Sequence, residues 1–420
     1  AWALLLNSGV HTLRVRGNTG SSTGTYAFTF LDLNVNSTSL SFGATQSATL
    51  TPSTRTDVFR VSGAVGQRVV YDAIDADLDT NFVSLYSPSL ALVLSGNTDA
   101  DQAPLTLGES GTYYLLVRGG EPSGAPDYAF RLLNASAAPT ITLGADVNAS
   151  LNPGRQSQVY RLSAAADQRL YFNGLTSSGA ANWTLYSPSN QQVTTTSFPT
   201  DFELNVAGAG EYLVVFSGQQ AGAVSASFRV SSPAITSAAL TLGATVNDAI
   251  ANAGEIDRYT FSGAIGQKLL FDGLRDDSNN NLRARLLAPS GAMRFDLSTA
   301  NDTDVISLKE NGVYTLEIDA TSDNTGLYAF RLLNIASQPT AALDTNVSGT
   351  LTPGNRVDAY RFSTTAGQRL YFNSLMLASA TWYVYDPGDQ SLISASASSD
   401  LELVAPSTGE YELVFFGTDP

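Results

Sequence analysis

Phe59-Arg60-Val61 followed by Gly66-Gln67-Arg68 reads as an aromatic-led strand and a turn, and the pair returns three times along the chain. The later copies are Tyr160-Arg161-Leu162 with Asp167-Gln168-Arg169, Tyr259-Thr260-Phe261 with Gly266-Gln267-Lys268, and Tyr360-Arg361-Phe362 with Gly367-Gln368-Arg369. The turns stand 101, 99 and 101 residues apart, so the chain is a tandem array in which each motif has internal copies to be tested against. Glycine-led strands at Gly9, Gly111, Gly210, Gly312 and Gly409 keep nearly the same interval.

Alternate copies are more alike than neighbours. Tyr128-Ala-Phe-Arg-Leu-Leu-Asn134 returns as Tyr328-Ala-Phe-Arg-Leu-Leu-Asn334, Leu170-Tyr-Phe-Asn173 as Leu370-Tyr-Phe-Asn373, and Trp183 as Trp382. Two domain types therefore alternate, A at residues 35–134 and 236–334, B at residues 135–235 and 335–420. Residues 1–34 read as the last part of a further B copy, with Tyr26–Leu31 as its closing strand. The final B copy reaches Pro420 before the counterpart of Ala223–Val230. The sequence is thus expected to be a window on a longer array. The final sandwich would be completed by the residues that follow, which is the simpler reading, or by a strand from another chain.

Tyr314, Leu316 and Ile318 alternate with Thr315, Glu317 and Asp319, the pattern of a half-buried strand. Tyr411, Leu413 and Phe415 repeat it, as do Tyr128, Phe130 and Leu132. Pro153-Gly154 and Pro353-Gly354 fit type II turns. Short strands between turn clusters predict an all-β chain of antiparallel sandwiches, jelly-roll or immunoglobulin-like, with strand order left open by spacing. The linkers Asn134–Pro139 and Asn334–Pro339 are short, which favours an elongated, semi-rigid array.

A net charge of -16 argues against nucleic acid as a partner, because its phosphates would be repelled by the summed field. The 22 basic residues include only two lysines, Lys268 and Lys309, and cysteine is absent, so disulfide and thiolate chemistry are excluded. No apolar run is long enough to span a membrane as a helix.

Polar turn, aromatic-led strand, Gly-Gln-Arg, Leu85-Tyr-Ser-Pro88 and Leu185-Tyr-Ser-Pro188, then Gly-x-Tyr and a closing Tyr-x-Phe, resemble together the bacterial pre-peptidase C-terminal domain. Leu287-Ala-Pro-Ser290 and Tyr385-Asp-Pro-Gly388 are variants of the central motif. The resemblance covers essentially the whole chain. It implies β-sandwich modules appended to secreted enzymes or strung in arrays in bacterial surface proteins and adhesins. No peptidase accompanies the repeats within these 420 residues, so an accessory role beside a protease finds no support in this window.

Catalytic chemistry finds little support. The single histidine, His11, shares a column with Tyr113, Tyr212, Tyr314 and Tyr411 and reads as a strand residue. Glu410 and Glu412 read as a solvated strand face, and the Asp201 and Asp400 turns as the approach to a strand. The best chemical candidate is acidic: Asp72, Asp75, Asp77 and Asp79, matched by Asp272, Asp276 and Asp277, with a second patch at Asp99 and Asp101 whose relatives are Asp302 and Asp304. Carboxylates on two A-type loops could share a calcium ion, the alternative being a solvated acidic loop. Both patches look confined to A. Trp183 and Trp382 are confined to B, where a glycan platform competes with a place in the core.

The leading expectation is a non-enzymatic structural segment of a long extracellular or bacterial cell-surface protein, a fibre, filament or adhesin stalk. Its partners would be neighbouring repeats and other copies in a fibre. The alternatives are a module that binds calcium or cell-surface glycan, and an accessory region of a secreted hydrolase.

Overall fold

The computed structural model describes residues 9–17, 23–75, 81–120, 124–275, 281–375 and 379–418. The chain divides into two compact units, Ala1–Ser232 and Pro233–Pro420. In the first, residues 38–134 form nine strands: β1 (Thr38–Ser39), β2 (Gln46–Thr49), β3 (Thr56–Gly63), β4 (Arg68–Ala73), β5 (Phe82–Tyr86), β6 (Leu92–Asn97), β7 (Leu105–Thr106), β8 (Gly111–Arg118) and β9 (Asp127–Asn134). Eight follow in residues 146–231: β10 (Asp146–Leu151), β11 (Ser157–Ala164), β12 (Arg169–Ser177), β13 (Ala181–Tyr186), β14 (Gln192–Phe198), β15 (Phe202–Asn205), β16 (Gly210–Gly218) and β17 (Val224–Ser231).

The first sandwich has sheets ordered β1-β3-β8-β5-β6 and β2-β9-β4-β7, and the second has β11-β16-β13-β14 and β10-β17-β12-β15. Strands early in each copy thus pair with strands late in it, β3 with β8 and β2 with β9. This is the interleaved order of a jelly roll, and it decides against the immunoglobulin arrangement. Parallel pairing is confined to the edge, where β1 runs along β3. Each sandwich holds its own core: Tyr71, Tyr113, Leu115 and Phe130 in the first, Phe172, Trp183, Phe216 and Phe228 in the second.

The second unit repeats the plan. Residues 235–334 form sheets of five and four strands. In residues 357–417 one four-stranded sheet is intact, but among the described residues its companion consists of Arg369–Phe372 paired with Leu401–Val404 alone.

The Gly-Gln-basic turn is explained by its own hydrogen bonds. Gly66, Gly266 and Gly367 lie at φ +79 to +80, where a side chain is disfavoured, and Asp167 takes the same left-handed conformation at φ 59. The glutamine side chain closes each turn: Gln67 accepts the amide of Ala64, Gln168 that of Ala165, Gln267 that of Ala264 and Gln368 that of Thr365, at 2.8–3.2 Å. The tyrosine column has an equally local cause. Tyr113, Tyr212, Tyr314 and Tyr411 each donate a hydroxyl to the carbonyl four residues upstream, at 2.7–3.0 Å.

Two expectations change. Pro153 and Pro353 follow cis peptide bonds and neither Gly154 nor Gly354 has a positive φ, so no type II turn forms there. Glycine is needed at 154 for space, since a Cβ would lie 1.8 Å from the Gly222 carbonyl oxygen. Residues 9–17 and 23–34 contain no strand. The expected closing strand at Tyr26–Leu31 has no sheet to join among the described residues, and Tyr26, Phe28 and Phe30 are 70%, 56% and 77% exposed.

Candidate functional site

The A-specific acids begin on β4, whose residues alternate between two environments. Val69 and Tyr71 enter the sandwich core, while Val70 and Asp72 face the opposite way and are also buried. What buries them is the next sandwich. Val70, Ala135, Ala138, Val159, Leu213 and Val215 form a small apolar cluster between the two sandwiches of the first unit. Asp72, fully buried, sits opposite Arg131 across the β4–β9 ladder. One of its oxygens accepts Arg131 Nε at 2.7 Å and the other accepts the backbone amide of Ser157 at 2.9 Å. Arg131 completes the loop by donating to the Ser157 carbonyl at 2.8 Å. A buried cross-strand ion pair thus satisfies both main-chain groups at the start of β11.

The second unit builds the same latch. Asp272 pairs with Arg331, accepts the Val357 amide at 3.1 Å, and Arg331 donates to the Val357 carbonyl at 2.6 Å. B-type sandwiches replace the acid by Asn173, and the ladder partner Arg229 turns to Asp146 on a half-exposed surface.

The basic residue of the A-type turn belongs to the junction as well. Arg68 donates to Asn190 Oδ1 at 2.8 Å and to the carbonyls of Ser187 and Glu211, both at 2.9 Å. Lys268 meets Asp389 and Glu412, each at 2.8 Å. Glu412 is therefore not on a solvated face as expected: it is 1% exposed, because the A-type sandwich covers it and supplies its cation. Glu410 remains near the surface, paired with Arg361 at 3.0 Å.

Of the remaining acids, Asp101 meets Asp72 at Ser157 and the others disperse. Asp101 accepts the Ala73 amide at 2.8 Å and the hydroxyls of Ser157 at 3.0 Å and Ser217 at 3.2 Å. Asp302 accepts the Gly273 amide at 2.8 Å. Asp201 and Asp400 hold the same place in B, accepting the amides of Gly174 and Ser374 at 2.8 Å. The second patch is therefore not A-specific; one carboxylate in all four copies caps an amide at the end of the fourth-strand type. Asp99 accepts the Thr98 hydroxyl at 2.8 Å, and Asp304 accepts the Tyr385 hydroxyl at 2.8 Å. The half-buried Asp75 donates its backbone amide to the Ala129 carbonyl at 3.1 Å. Asp77, Asp79, Asp276 and Asp277 lie outside the described residues. Among the described residues no three carboxylate, histidine or cysteine side chains converge as metal ligands.

Trp183 is 1% exposed and packs edge-on to Phe172, Phe198, Phe202 and Phe228. Trp382, 5% exposed, packs on Phe372 and Phe415. Both fill cores and offer no face to a sugar.

Burial pushes the carboxyl of Asp72 up to about 7 and that of Asp272 up to about 6, with the paired arginine opposing in each case. A carboxyl that holds its proton more tightly when folded makes stability fall as pH rises from about 4 toward the folded value. Both units should therefore lose stability between mildly acidic and neutral pH through these groups. Calorimetric scans across that range check it, and Asp72→Asn should flatten the slope for the first unit.

No protein-family model and no curated protein matches the chain. Among solved structures, the chain is similar to Aeromonas hydrophila PliG, a periplasmic inhibitor of g-type lysozyme, at 15% identity over 23% of this chain and 96% of that one, with a TM-score of 0.20. The CUB1-EGF-CUB2 region of human MASP-1/3 is similar over 69% of this chain and 99% of its own, at 8% identity and TM-score 0.20. A Sulfolobus turreted icosahedral virus protein is similar over 66% and 81% respectively, at 10% identity and TM-score 0.16.

Proposed function

We propose that the chain is a structural, non-enzymatic segment of a long extracellular repeat protein, a surface fibre, filament or adhesin stalk, whose building block is the A–B pair. The observation that carries this reading is the duplicated latch. A buried Asp–Arg pair, a second cation at Arg68 or Lys268 and an apolar cluster stand at both A–B junctions. Neighbouring domains in one chain move relative to each other unless their interface is large or apolar, and this interface spends buried charge and apolar area to hold them. Such a feature serves load-bearing and reach, with copy number setting length. The resemblance to pre-peptidase C-terminal domains supports a place outside the bacterial cell.

Immunogold labelling of intact source cells, with antibody raised against residues 135–232, tests it. Decoration of surface fibres is expected; label confined to the cell interior overturns the reading.

A further inference from the structure

The two A–B junctions share a plan but differ together at three matching positions. In the first unit these are Arg68, its hydrogen-bond partner Asn190, and the fully buried Leu213, which sits opposite Tyr186 in the β13–β16 ladder. In the second unit the same places hold Lys268, Asp389 and Glu412, the last opposite Tyr385 in the matching ladder. Asn190 and Asp389 even share the left-handed turn conformation, at φ 64 and 68. An amine thus replaces a guanidinium, a carboxyl replaces a carboxamide, and a second carboxyl replaces a buried alkyl group.

The three new groups touch. Lys268 Nζ lies 2.8 Å from Asp389 Oδ1 and 2.8 Å from Glu412 Oε1, with 18%, 20% and 2% of the respective side chains exposed. The other oxygen of Asp389 accepts the Ser307 hydroxyl, so its carboxyl is held from both sides. A salt link alone does not account for these choices. The chain has 20 arginines and two lysines, the second of which, Lys309, is exposed. Arginine serves Asp72, Glu203, Asp319 and Glu410, and its planar fork suits two carboxylates better than an ammonium does. What arginine cannot do is release a proton and attack. Glu412 is likewise a costly substitute for Leu213, since Lys268 brings one charge against two carboxylates and Arg361 is engaged by Glu410.

We propose that Lys268 and Asp389 condense to a side-chain amide that joins the two sandwiches of the second unit covalently, with Glu412 as the proton carrier. Burial works to lower the Lys268 amine, but the two carboxylates outweigh it and raise it, so the amine starts out charged. It passes a proton along its hydrogen bond to Glu412, whose carboxyl burial has raised against the opposing Lys268. Glu412 hands that proton to Asp389 Oδ1 as the neutral nitrogen adds to Cγ, and the Ser307 hydroxyl supports the charge on Oδ2. A second proton, from the nitrogen, follows the same route, and Oδ1 leaves as water. One C–N bond forms, one C–O bond breaks, Glu412 returns to its carboxylate, and no co-reactant is needed. Holding amine and acid in contact supplies the effective concentration that the pair lacks in free solution.

Intact-mass measurement of the full chain, followed by protease mapping, tests this. The mass should fall below that of the sequence by about 18 Da, one water, and the digest should contain a branched peptide that carries both Lys268 and Asp389. Lys268→Arg, the residue of the first unit, should restore the full mass. Glu412→Gln should slow appearance of the branched peptide by about a hundredfold, the usual worth of a positioned proton carrier. A full-mass chain after prolonged incubation at neutral pH overturns the proposal. So does a water loss that maps to Asp389 alone, by closure on its own backbone, or one that persists in Lys268→Arg.

Discussion

Asp72→Ala should cost the first unit about 3–5 kcal/mol, the range for removing one partner of a buried ion pair, because Arg131 is left charged with only 14% of its side chain exposed. The Ser157 amide also loses its acceptor, in a place water does not reach. Replacing both members, Asp72→Leu with Arg131→Met, should recover much of the loss, since apolar substitutes of similar volume commonly match a buried pair in stability. Asp272→Ala should have a comparable effect in the second unit. Urea unfolding of the full chain, followed by hydrogen exchange at the Ser157 amide, separates the two contributions. The amide should exchange faster in Asp72→Ala even under conditions where both sandwiches remain folded. An unchanged exchange rate would mean that the latch does not hold the junction.

Trp183→Ala should destabilise the second sandwich by about 3–5 kcal/mol, the usual cost of emptying an aromatic site in a packed core. Four phenylalanine rings lie edge-on to this indole at 5.0–5.8 Å between centroids, and all lose a neighbour together. Trp382→Ala should cost less, because its sandwich has a two-stranded second sheet and half-buried Leu370 and Phe372 around it. Urea titration followed by tyrosine and tryptophan emission measures the difference. Equal losses at the two sites would show that the core of the fourth sandwich is as tight as that of the second.

The sandwiches were legible because their signals are local. Gln67 bonds three residues back and Tyr113 four residues back, so spacing along the chain reports those contacts directly. The jelly-roll order was not legible, since β4 meets β9 and β3 meets β8 across intervals that any two-sheet arrangement could share. The same distance hid the role of Asp72. Its partner Arg131 is 59 residues away and the amide it accepts is 85 away, so an acidic stretch read alone suggested calcium. A usable signal was present in the repeat itself: Arg131 and Arg331 accompany Asp72 and Asp272 in the A copies. Arg68 and Lys268 concealed a second task inside a turn motif whose glycine and glutamine are explained by the turn alone. Glu412 was misjudged because alternation identifies the face of a strand turned away from the core without saying whether another sandwich covers it.

The junction carries a consequence for how such a chain can grow. Every A-type sandwich commits an aspartate and an arginine that water cannot solvate, and a B-type sandwich is what seals them. Loss of a single B copy would expose or mismatch these charges, whereas loss or gain of an A–B pair leaves every seal intact. Genetic duplication within the array should therefore be tolerated two sandwiches at a time, and an odd step should leave a scar in stability where the count changes.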